Sequence, residues 1–146
     1  MANILNEVSF GIMSLKDFES KDLAQSVLST IADAGPFFFP TVYDVYEPLR
    51  HKCNTNDIDE LVRVWLNEEN VSVTSQNSYG MGQLLMEHRR KPKISYQMHW
   101  EKGQQERFNY FIMSADSEFL MEENNFQTFL SLCMKLSVLL DPVQGE

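Results

Sequence analysis

Residue types able to do chemistry are scattered along this 146-residue chain, and few stand at a spacing that chemistry needs. His51-Lys52-Cys53 places two potential metal ligands two positions apart, but a stable zinc site takes four, and no second pair follows. His88 and His99 stand alone and read as polar surface histidines. Asp57, Asp59 and Glu60, with Glu68 and Glu69, form a carboxylate group without the central glycine and fixed ligand positions of a calcium loop. Their pattern suits a helix N-terminus with a solvated face. Gly80-Met81-Gly82 lacks the third glycine of a dinucleotide fingerprint and the Gly-Lys-Ser/Thr of a phosphate loop, so it reads as a bulge between strands. There is no Gly-x-Ser-x-Gly and no cysteine set in an elbow. The expectation is a protein that is not an enzyme, with no bound metal and no cofactor.

Charge says more. The chain carries a formal −9. Residues 1–70 hold 12 Asp/Glu against 5 Lys/Arg, whereas residues 87–107 hold 6 Lys/Arg against 3 Asp/Glu. An acidic body repels nucleic acid and attracts cationic partners. The basic cluster Arg89-Arg90-Lys91-Pro92-Lys93 reads as a charged strand connection rather than a nucleic-acid surface, because Tyr96 and Trp100 fall on an alternating apolar face. The stretch Tyr43-Asp44-Val45-Tyr46-Glu47 interleaves aromatics with acids. Aromatics supply contact area and acids steer a basic partner. The candidate partner-binding residues are therefore Tyr43, Asp44, Tyr46, Glu47, Asp57, Asp59 and Glu60.

The elements that must position them follow from periodicity. Val8, Phe10 and Ile12 alternate with polar or small neighbours and predict a strand. Leu23, Val27, Ile31 and Ala34 share one helical face over about Ser20–Ala34, with Ser20 as N-cap and Gly35-Pro36 as the stop. The aromatic segment Phe37–Leu49 is bracketed by prolines; Thr41–Tyr46 reads as a short edge strand or an extended loop. Ile58, Leu61, Val62, Trp65 and Leu66 predict a second helix over about Asp57–Glu68, with Asn56 as N-cap. Val71–Thr74 and Gln83–His88 read as strands. Ile94–Trp100 and Phe108–Met113 predict an antiparallel hairpin across Lys102–Gln105, with Trp100 and Ile112 facing the core. A last helix, about Asn125–Leu140, carries Phe126, Phe129, Leu130, Cys133, Leu136 and Leu140 and stops at Asp141-Pro142.

This order predicts a single α+β domain over residues 1–146, with a mainly antiparallel sheet of four to six strands and about three helices packed on it. Two cysteines 80 residues apart beside eight methionines fit a reducing compartment. No basic-apolar leader and no 18-residue apolar run is present, so the expectation is a cytoplasmic chain that neither enters membranes nor binds nucleic acid.

The layout resembles a known family. Ser9-Phe10-Gly11 in the first strand is followed by an amphipathic helix and the Pro/aromatic segment Phe37–Pro48. The C-terminal helix ends in Leu139-Leu140-Asp141-Pro142-Val143-Gln144-Gly145. In these features the chain is similar to the immunity proteins of bacterial polymorphic toxin systems, nearest the immunity protein 52 family. The resemblance implies an inhibitor that binds a cognate toxin, often a nuclease with a basic surface, and blocks its active site or substrate access. The alternative is a structural or adaptor component, phage-encoded or otherwise, that self-associates as a homodimer through its apolar surface.

Overall fold

A computed structural model describes residues 6–67, 81–89, 91–101 and 109–141. Six strands, β1 (Glu7–Ser14), β2 (Val42–Asp44), β3 (His51–Lys52), β4 (Met81–His88), β5 (Ile94–Glu101) and β6 (Asn109–Asp116), form one antiparallel sheet in the order β1-β6-β5-β4-β2-β3. Helices α1 (Lys21–Asp33), α2 (Ile58–Leu66) and α4 (Glu123–Leu140) cover one face, and the short α3 (Ser117–Leu120) leads into α4. Across that face α4 packs on β1, α1 lies next to it, and α2 packs on α1 and β4. The expected α+β architecture is present.

Register decides which side chains are covered. Val8, Phe10 and Ile12 of β1 oppose Ala115, Met113 and Phe111 of β6. Ala115, Met113 and Phe111 in turn oppose Ile94, Tyr96 and Met98 of β5. These rows point at the helices. The expected hairpin of β5 and β6 therefore forms, but with Ile112 on the other side. Tyr110 and Ile112 lie on the uncovered face, opposite His99 and Gln97, and Phe111, Met113 and Ala115 take the core positions. Both faces of this segment are apolar in sequence, so alternation alone does not choose between them. Phe108 and the connection Lys102–Gln105 lie outside the described residues, as do Val71–Thr74, Gly80, Glu68 and Glu69.

Gly82 is not in a bulge. It continues β4 directly opposite Trp100, and a Cβ built there would lie 2.2 Å from the indole. The glycine makes room for the ring. β2 is not an edge strand either, because β3 pairs on its far side. His88 is buried rather than on the surface, with Nδ1 2.8 Å from the Pro92 carbonyl across the basic connection. Two cations of that connection share one carboxylate: Glu87 pairs with Arg89 at 3.2 Å and with Lys93 at 3.4 Å.

The helix ends follow local chemistry. Ser20 caps α1 by accepting from Leu23 N. Gly35 after α1 takes φ 117, where a side chain would be strained. The cap ahead of α2 is Asn54 rather than Asn56: Asn54 accepts from Asn56 N at 2.8 Å and donates its backbone N–H to Asp57 at 2.9 Å. This capping box closes a 3₁₀ turn, Thr55–Asp57, that feeds the helix. On α4, Phe129, Leu132, Cys133, Leu136 and Leu140 are buried, whereas Phe126 and Leu130 fall on an exposed flank. Two buried polar side chains tie the far end of the sheet: Ser14 donates to the Leu140 carbonyl and Asn109 to that of Lys16.

Candidate functional site

The chain between Val42 and Asn67 folds back on itself so that β2, β3 and one face of α2 enclose a cleft of about 320 Å³. Tyr43, Asp44, His51, Glu60 and Arg63 line it. The β2–β3 pairing sets Tyr43 opposite His51, and their rings lie 5.2 Å apart at 32°. Glu60 and Arg63 share a helical face because residues three apart are neighbours on a helix. Arg63 donates to both oxygens of Glu60, at 3.1 Å from Nε and 2.6 Å from the terminal nitrogen. The Tyr43 hydroxyl also donates to Glu60, at 3.4 Å.

Asp44 is held from three sides. Its oxygens accept from Val45 N at 2.7 Å and Arg50 N at 3.3 Å, and the His51 ring lies 3.8 Å away. The Gln83 amide donates to the Val45 carbonyl, which ties this loop to β4.

Burial and charge pairing shift the ionisable groups here. The Arg63 hydrogen bond holds the Glu60 carboxyl below its ordinary range. Burial, and then the Glu60 charge, raise the Tyr43 hydroxyl. Cys53 behind them is buried, and desolvation with the Asp57 charge pushes its thiol up to about 12. The Cys53 thiol and the Tyr43 phenol are therefore held protonated near neutral pH, and the Glu60 carboxylate is paired. Among the described residues no group of three or more His, Cys, Asp or Glu is placed to hold a metal ion.

The seven residues singled out in sequence have different fates. Tyr43 is only 6% exposed, and its hydroxyl is engaged by Glu60. Asp44 and Asp57 are engaged by backbone N–H groups. Glu60 is engaged by Arg63 and Tyr43. Tyr46, Glu47 and Asp59 present their side chains outward. Charge in this region is mixed, since residues 42–67 carry five carboxylates against Arg50, Lys52 and Arg63.

Two cleft residues were not singled out as partner contacts. His51 was weighed only as a metal ligand, and Arg63 is legible as the i+3 partner of Glu60. A second acidic group also lies outside the first half: Asp116, Glu118, Glu122 and Glu123 flank the exposed Met121 in sequence, ahead of and at the start of α4. Of these, Asp116 accepts from Lys93 N and Glu122 from Asn125 N.

Comparison with protein-family models, with curated proteins and with solved structures gives no match. No helix among the described residues is long and apolar enough to cross a membrane.

Proposed function

We propose that this chain is a non-enzymatic, immunity-type protein that binds and neutralises a cognate bacterial toxin with a basic surface. The toxin would engage the outward side of β2, the β2–β3 loop and α2. The observation that carries the reading is the division of labour between the internally bonded acids and the exposed residues beside them. Asp44, Asp57 and Glu60 are fixed by internal hydrogen bonds and shape the surface. Tyr46, Glu47 and Asp59 project from it. A preorganised frame carrying exposed acids and one aromatic suits capture of a cationic surface, because little side-chain order is lost on docking. The neutralised cleft groups support a role without catalysis, and the resemblance of layout supports the toxin as partner. A cytoplasmic setting belongs to the same reading and is supported by two free thiols.

The test begins with co-expression beside the neighbouring gene product and recovery of the partner by pull-down. Glu47→Lys with Asp59→Lys is expected to slow association by about tenfold or more and to flatten its salt dependence, since exposed charges act mainly on encounter. Tyr46→Ala is expected to speed dissociation by about tenfold. Association rates unchanged by the double reversal would sink the reading.

A further inference from the structure

Among the described residues, one edge of the sheet combines two unpartnered surfaces. β1 is the terminal strand, eight residues long, and among the described residues no strand pairs with its outer side. An edge this long offers a row of N–H and C=O groups to any strand that can reach it. Above it lies α4, whose side away from α1 carries Phe126, Leu130 and Met134. Phe126, Leu130 and Met134 recur every fourth residue and make a ridge along the helix, and Val138, next in the series, turns toward α1, where it lines a cavity with Asp22, Leu23 and Ser26. All four are exposed, Met134 at 69% and Val138 at 79%. Val8 on the helix side of β1 is exposed too, and so is Met13 on the other side.

We propose that this edge is the interface of a homodimer, in which β1 pairs antiparallel with β1 of a second copy and the two α4 helices pack side by side over the joined sheet. Three features select a second copy. First, a two-fold axis perpendicular to the sheet keeps the helices of both copies on one face. Pleat alternation then places Val8, Phe10 and Ile12 of both strands beneath the two α4 ridges, so the strand edge and the helix flank are satisfied by one operation. Second, the surface is nearly free of charge. In β1 only the terminal Glu7 is charged, and in α4 only the terminal Glu123 and Lys135. Two bodies of −9 repel over most of their surface, and here the repulsion is least. Third, the acids near this edge, Glu7, Glu122, Glu123 and Asp141, lie only at the ends of β1 and α4, whereas the exposed acids of the proposed toxin-binding surface sit toward the other end of the sheet, at β2-β3. The dimer therefore leaves the proposed toxin-binding surface open and makes the assembly bivalent.

The whole protein, examined by sedimentation velocity from about 1 to about 100 µM, is expected to shift from monomer to dimer. Added salt is expected to tighten the dimer, because Glu122, Glu123 and Asp141 at the ends of α4 meet at its rim and salt screens them. Val8→Lys with Met134→Lys is expected to weaken it by at least about tenfold, since edge lysines oppose strand pairing. Glu47→Lys is expected to leave it unchanged, which separates this proposal from the toxin-binding one. A monomer at every concentration overturns the proposal, as does a dimer that the lysine pair leaves intact. Should the pair lose its far-ultraviolet helix signal, Met134→Lys alone, at a solvent-facing position, decides in its place.

Discussion

The indoles of Trp65 on α2 and Trp100 on β5 stack with their centroids 5.6 Å apart and their planes 24° apart. Phe18 lies 6.3 Å from each ring, and its carbonyl accepts from Trp65 Nε1 at 2.6 Å. One contact thus joins the helix that frames the cleft to the centre of the sheet. Trp65→Ala is expected to cost about 3–5 kcal/mol in chemical denaturation, by removing a fully buried ring and leaving a cavity. A loss under about 1 kcal/mol would show that the stack does not anchor α2.

The same ring sets the residue at position 82. Because a Cβ there would overlap the Trp100 indole, and because both residues lie in paired strands, neither backbone can easily retreat. Gly82→Ala is expected to destabilise by about 1–3 kcal/mol despite the better strand propensity of alanine. Urea midpoints of the two proteins measure this directly, and an unchanged midpoint would refute the close approach.

Periodicity made the larger elements legible, since Leu23, Val27 and Ile31, or Leu61 and Trp65, each have one helical face to hide. It failed where both faces of a segment are apolar. Tyr110 and Ile112 look as core-like as Phe111 and Met113, and only pairing with β1 and β5 assigns them. The candidate site was half legible. Composition exposed the acids and aromatics, but Tyr43 is buried by a cross-strand partner, His51, and by Glu60 one element later. Such contacts between distant positions leave no local pattern to read. Gly82 shows the same limit: its reason is a ring 18 residues away.

Asn54, not Asn56, caps the turn that leads into α2, and the two are separable by experiment. Asn54→Ala removes the side-chain acceptor of the capping box and is expected to cost about 1 kcal/mol. Asn56→Ala removes an exposed side chain whose backbone, not its amide, makes the bond, and is expected to stay within about 0.5 kcal/mol. Thermal or urea melts of the pair give the ranking, and the reverse order would disprove the assignment.

Cys53 and Cys133 are free and buried. Burial pushes their thiols up to about 12 and about 11, so neither is a thiolate near neutral pH. Labelling with a thiol-specific disulfide reagent near pH 8 is expected to be slow in the native protein and complete within the mixing time in denaturant. Rapid native labelling of either residue would contradict its burial.

His99 lies on the uncovered face of the sheet, between Tyr110 of β6 and Gln83 of β4, and partial burial lowers its pKa below the ordinary histidine value. Above about pH 6.5 the ring is neutral in both the folded and unfolded chain. As pH falls through that value the unfolded chain takes up a proton first, so unfolding is favoured. Below the depressed folded value both states are protonated and the loss is complete. The melting temperature is therefore expected to fall between about pH 7.5 and about pH 5.5, a window above the ordinary carboxylate range. His99→Gln, which keeps a polar side chain of similar reach without the titration, is expected to reduce that fall. If the two proteins lose stability in parallel across the window, His99 is solvated well enough to titrate alike in both states, and the desolvation assigned to it is wrong.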